Sequence, residues 1–103
     1  MATVYEDVFG HRLSLDATHQ AHIEAEHPEV KVYVKRLGEV LRLPEWVKRS
    51  RRDPHVHLYY RFYADVLGGK YLLGIARVVP RGVVLTSYVT DTIKHGELLW
   101  PKP

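Results

Sequence analysis

The chain has 103 residues, 46% of them hydrophobic and 26% charged, with a formal net charge of +3. That length fits one domain, residues 1–103, with a single core. With no cysteine, disulfides, thiolate nucleophiles and cysteine-based zinc sites are excluded, and no apolar run approaches the roughly 18 residues of a membrane span.

The first residues, Met-Ala-Thr-Val-Tyr-Glu-Asp, carry neither a basic start nor an apolar stretch. No secretory signal is expected, and the absence of cysteine fits a cytoplasmic location. Val4 to Leu15 reads as a β-hairpin turning at Gly10-His11, where glycine supplies a positive φ. Asp16 is a good N-cap for a helix over Ala17 to Glu26, which Pro28 ends. Ala17, Ala21 and Ala25 fall on one side of this helix, and His19, His22, Ile23 and Glu26 on the other. Ile23 is the only large apolar residue, so the pattern alone does not decide which side meets the core.

Val30, Tyr33, Val34, Leu37, Val40 and Leu41 form an apolar stripe that predicts a second helix from Val30 to Arg42. Pro44 ends it. The remainder reads as strands. Trp46 to Arg49 is a short one. Val56 to Tyr63 alternates, with Val56, Leu58, Tyr60 and Phe62 on one side and His57, Tyr59, Arg61 and Tyr63 on the other. Gly68-Gly69 and Pro80-Arg81-Gly82 are turns that bound a central strand, Lys70 to Val79. Val83 to Thr90 alternates again, with Val83, Leu85, Ser87 and Val89 inward. Ile93 to Trp100 supplies a short edge strand. The expected class is α+β: an N-terminal hairpin and two helices packed on a curved antiparallel sheet of about four strands.

Helices cover only one face of a sheet this small. The polar series His57, Tyr59, Arg61 and Thr86, Tyr88, Thr90 are therefore expected to share the uncovered face and build a groove. Arg61 suits a bidentate phosphate clamp, and Tyr59 or Tyr88 suits stacking on a base. Lys48, Arg49, Arg51 and Arg52 form a basic cluster that attracts phosphate backbones. His57 and Tyr59 extend it, giving RNA as the expected partner. Cleaving RNA without a metal takes a base for the 2′-hydroxyl, an acid for the 5′-oxygen and cations for the crowded phosphorane. His22 and His27 are the candidates for acid and base, in either order, with Arg61 at the phosphate. His11 and His95, each beside a glycine, read as surface turn residues. The metal readings, His19 with His22 and Glu26, and His55 with His57, lack third and fourth ligands, so no metal or other cofactor is expected.

The ordered set His22-Ile23…His27-Pro28-Glu29, Leu43-Pro44-Glu45-Trp46, Tyr60-Arg61, Lys70-Tyr71-Leu72, Leu85-Thr86-Ser87-Tyr88-Val89-Thr90 and Leu99-Trp100 resembles the phage-barnase-EndoU-colicin-RelE-like nuclease domains, from about residue 4 to 100. The resemblance implies a barnase/RelE-like fold and a metal-independent endoribonuclease of the toxin or phage-conflict kind, with an antitoxin or immunity protein as a further partner. It places the polar site on His22, His27, Arg61, Thr86, Tyr88 and Thr90. Fewer lysines and arginines lie over the sheet than in RelE-type toxins. A non-catalytic RNA-binding or protein-interaction module of the same fold, the latter using Tyr33, Tyr63 and Trp100, is the alternative.

Overall fold

The computed structural model describes residues 2–102. Strands β1 (Ala2–Glu6) and β2 (Arg12–Asp16) pair as the expected hairpin, with Val4 opposite Ser14. The connection is five residues long and is organised by Asp7. Its Oδ1 accepts the backbone N–H groups of Phe9 at 3.0 Å and His11 at 2.7 Å. Gly10 takes φ +90, where a side chain would be strained.

Asp16 caps helix α1 (Ala17–Glu26) by accepting the His19 N–H at 2.7 Å. Ile23 settles the orientation of this helix: it alone is buried, and the alanine side faces solvent. The expected second helix is not continuous. Pro28–Val32 and Val34–Arg36 form two 3₁₀ turns, and only Leu37–Arg42 is α-helical (α2). Val30, Val32 and Val34 stiffen this stretch at χ1 and disfavour the α-helix, while the tighter turns still bury Val30. Leu37 and Leu41 of α2 press onto the sheet where Gly74 has no side chain. A Cβ there would sit 3.1 and 3.2 Å from their methyl groups.

The remaining strands are β3 (Trp46–Arg49), β4 (Val56–Tyr63), β5 (Lys70–Arg77), β6 (Val83–Thr90) and β7 (Leu98–Trp100). Among the described residues seven strands, not the expected four or so, join one curved sheet in the order β1-β2-β6-β5-β4-β3-β7, because the hairpin, β3 and β7 all add to it. It is mixed rather than purely antiparallel, because β2 meets β6 in parallel at Ser14 and Val83. This contact makes one sheet of the hairpin and the meander. The Gly82 carbonyl accepts the Ser14 N–H at 3.0 Å, and a Cβ on Gly82 would collide with the Arg12 carbonyl oxygen.

The helices cover one face. Leu13, Leu15, Ile23, Leu37, Val40, Leu41, Val47, Tyr59, Leu72 and Val84 are buried beneath them. On the opposite face Val56, Leu58, Tyr60 and Leu73 form a second apolar cluster, flanked by Tyr71, Ile75, Tyr88 and Ile93. No helix among the described residues is long and apolar enough to cross a membrane.

Candidate nucleic-acid interface on the helix-free face

Strand register decides which side chains share a face, since directly paired residues point the same way. Tyr59 pairs with Gly74, and Gly74 with Ser87. Tyr60 pairs with Leu73, and Leu73 with Tyr88. His57, Tyr59 and Arg61 therefore lie on the helix side, whereas Thr86, Tyr88 and Thr90 lie on the other. The groove expected from these two series does not form. A bulge in β6 alters only the start of that strand: Ala76 faces Val84 and Ile75 faces Thr86, so Leu85 is the extra residue and Val84 turns under the helices. The carbonyl of Leu85 accepts the His19 Nε2–H at 2.7 Å, which ties α1 to β6 at the bulge.

The residues on the helix side are engaged there. Tyr59 is 0% exposed and donates to the Asp7 carboxylate at 2.5 Å, so its ring cannot stack on a base. Burial and the Asp7 carboxylate raise its pKa. His57 is 7% exposed, and burial, reinforced by the charges of His11 and Arg49, lowers its pKa to about 4. Arg61 donates to the Leu43 carbonyl at 2.6 Å and pairs with Glu39 at 3.5 Å. Arg49 pairs with Glu97 at 2.9 Å and donates to the Pro54 carbonyl at 2.8 Å.

The helix-free face is built in rungs. Lys48, Leu58, Ile75 and Thr86 form one. Trp46, Tyr60, Leu73 and Tyr88 form the next, and Phe62, Tyr71 and Thr90 the third. Successive rungs are about 6.7 Å apart along the strands, close to the spacing of successive nucleotides in an extended strand. Trp46 and Phe62 are 38% and 45% exposed, and Phe62 meets Tyr71 edge-on at 5.5 Å. These two aromatics escape a reading that follows polar residues. The alternation Trp46-Val47-Lys48 was the signal that placed an aromatic and a cation on one face.

The chain after β6 crosses this face. Ile93 packs on the apolar cluster, and the Lys94 N–H donates to the Tyr60 hydroxyl at 3.1 Å. Together with the β3–β4 turn it encloses a pocket of about 350 Å³ lined by Ser50, Arg51, Arg52, Val56, Leu58, Ile75, Lys94 and His95. The floor is apolar, the rim carries three permanent cations and a histidine, and among the described residues no carboxylate lines it. The basic cluster of Lys48 to Arg52 thus divides: Arg51, Arg52 and Lys48 serve this face, and Arg49 the other.

His27 is the predicted histidine that reaches the aromatic rungs. It ends α1, and its ring lies 5.1 Å from that of Tyr88 at an interplanar angle of 31°. Its Nδ1 is 3.9 Å from the Glu29 carboxylate. His22 is exposed on α1 beside Thr18, Ala21 and Ala25. Thr90 Oγ1 accepts the Thr92 N–H at 3.2 Å at the end of β6. His95, read as a surface turn residue, lines the cationic pocket.

No protein-family model, curated protein or solved structure matches this chain.

Proposed function

We propose that the protein binds RNA across its helix-free sheet face and cleaves it as a metal-independent endoribonuclease. The tilted contact of the His27 ring with Tyr88, on the face that also holds the cationic pocket, carries this reading. A single RNA strand needs cations at phosphate spacing and flat apolar surfaces for its bases. Arg51, Arg52, Lys94 and Lys48 supply the first; Trp46, Phe62 and Tyr88 supply the second. The sequence resemblance to phage-barnase-EndoU-colicin-RelE-like nuclease domains implies the same activity, but it counts Arg61, which lies on the helix side, among the site residues.

In the reaction, a base removes the 2′-hydroxyl proton, the 2′-oxygen attacks phosphorus, and the P–O5′ bond breaks as an acid protonates the leaving oxygen. The products are a 2′,3′-cyclic phosphate and a 5′-hydroxyl. Histidine suits both proton transfers near neutral pH. His27 is the proton-transfer group at the aromatic rungs; His22, exposed on the same helix beside Thr18, Ala21 and Ala25, makes no contact with it and is the candidate for the second transfer only by its chemistry. The role foreseen for Arg61 passes to Lys94, Arg51 and Arg52, because Arg61 is engaged behind the sheet.

The test is incubation of the protein with single-stranded and structured RNA in EDTA from pH 5 to 9. A bell-shaped rate profile with cyclic phosphate ends, lost in His27→Ala, is the expected result. Cleavage at an unchanged rate in His27→Ala would overturn the assignment. Binding without any product would establish the second reading, a non-catalytic RNA-binding module, which the displacement of Arg61 from this face favours.

A further inference from the structure

A second constellation lies on the helix side of the sheet, away from the proposed RNA face. Asp7 and His11 come from the β1–β2 connection, and His57 from β4. One donor atom from each lies within 4.8 Å of the other two. We propose that Asp7, His11 and His57 bind one divalent transition-metal ion of the zinc class through two imidazoles and one carboxylate. This inference does not rest on the RNA reading.

The donor set is the first argument. Two imidazole nitrogens and one carboxylate oxygen suit Zn²⁺, Co²⁺ and Ni²⁺ better than Mg²⁺ or Ca²⁺. Bonds of about 2.0–2.2 Å hold tetrahedral ligand atoms roughly 3.4 Å apart. The His11 Nδ1 to Asp7 Oδ2 distance is 2.8 Å. A separation of this pair by about 0.6 Å and an approach of His57 by up to about 1.4 Å would produce the required triangle. Neutral histidine ligates through an unprotonated nitrogen, so His11 would carry its proton on Nε2 and release Nδ1 to the metal.

Rigidity is the second argument. Asp7 Oδ1 is fixed by the Phe9 and His11 N–H groups, so the carboxylate and the His11 backbone form one unit. Asp7 Oδ2 also accepts the Tyr59 hydroxyl, an outer partner of the kind that orients a metal-binding carboxylate. Phe9 sits edge-on to both imidazoles, with centroids 6.0 Å from His11 and 5.8 Å from His57. Remaining coordination positions have an outlet: His11 and His57 line a shallow pocket of about 250 Å³ with Phe9, Arg49 and Leu99. The Arg49 charge opposes a cation there, and its pairing with Glu97 offsets this.

The experiment titrates the EDTA-stripped, dialysed full chain with Zn²⁺ by calorimetry and with Co²⁺ by visible absorption. One equivalent of saturable binding is expected. His11→Ala should abolish it, and His57→Gln should do the same. Tyr59→Phe should weaken it by about 10- to 100-fold. The double variant His22→Ala/His27→Ala should bind like the parent, which separates this site from the histidines of the RNA face. His11 is 38% exposed, so His11→Ala should remain folded, and its circular dichroism verifies that. No one-equivalent binding by the parent, or binding undiminished in His11→Ala, would overturn the proposal. Either outcome leaves RNA cleavage in EDTA as a separate question.

Discussion

Tyr59 and Asp7 lie 52 residues apart and are joined by a 2.5 Å hydrogen bond in which neither side chain is exposed to solvent. This bond fastens the β1–β2 connection to β4. Hydrogen bonds to charged groups contribute about 1.5–3 kcal/mol each. Tyr59→Phe keeps the ring packing and removes only the donor, so unfolding in urea should show a loss of about 2 kcal/mol. Asp7→Ala should cost more, because it strands the Tyr59 hydroxyl, the His11 ring and two backbone N–H groups together. A Tyr59→Phe variant as stable as the parent would show that the bond contributes nothing net.

The same residue shows where a sequence reading stops. The hairpin, the Asp16 cap, α1 and the spans of β3, β4 and β6 follow from local signals: turn glycines, a capping carboxylate and alternation. The face of β4 does not. Its two series, Val56-Leu58-Tyr60-Phe62 and His57-Tyr59-Arg61-Tyr63, differ mainly in hydroxyls and charge, which argued for placing the first under the helices. Tyr59 reverses this, because its hydroxyl is satisfied by a carboxylate that only the fold brings near. The Leu85 bulge and the parallel β2–β6 contact are long-range events with no local signature. The break in the second helix is intermediate: its valines were visible, but the apolar stripe outweighed them. At the candidate site, His27 and Tyr88 were legible as residues, whereas the cationic pocket joins residues 50–58 to Lys94 and His95 through Ile75.

His57 makes stability depend on pH. Its folded pKa is lowered to about 4, burial being the main cause, from an ordinary value of 6.5. Between these values the unfolded chain takes up a proton that the folded protein refuses, so stability falls as pH drops from 6.5 toward 4. Above pH 6.5 this histidine contributes no slope, and below 4 the loss is complete. At about 1.4 kcal/mol per pKa unit the full effect is roughly 3 kcal/mol. Urea midpoints of the parent between pH 7 and 4, measured in EDTA, should show this decline. In His57→Gln the decline should be shallower; an equal slope would assign it to other groups.

Charge on the helix-free face should set the salt dependence of RNA binding. Each phosphate neutralised on a single strand adds about 0.7 to the slope of log affinity against log salt. Replacing Arg51, Arg52 and Lys94 by Ala, one at a time, should lower affinity for unstructured RNA and flatten that slope by up to one such step each. Arg49 is paired with Glu97 on the other side, and Arg49→Ala should alter the slope less. Equal effects from Arg49 and Arg51 would mean that the pocket does not select the binding surface.

Aromatic stacking gives a prediction of a different kind, because it is insensitive to salt. Trp46 and Phe62 stand on successive rungs with their rings partly open to solvent. Base stacking on such rings contributes about 1–3 kcal/mol per base by alanine substitution. Trp46→Ala and Phe62→Ala should therefore weaken RNA binding by roughly fivefold or more, while leaving the salt slope of the parent. Trp46 also provides the readout, since a base stacked on its indole quenches its fluorescence. Trp100 lies beside Phe9 at 6.2 Å on the other side of the molecule, so Phe9→Ala should leave the RNA-dependent quench intact. If RNA quenched Trp46→Ala as strongly as the parent, the nucleic acid would have to lie near Trp100, and the interface would belong on the helix side of the sheet.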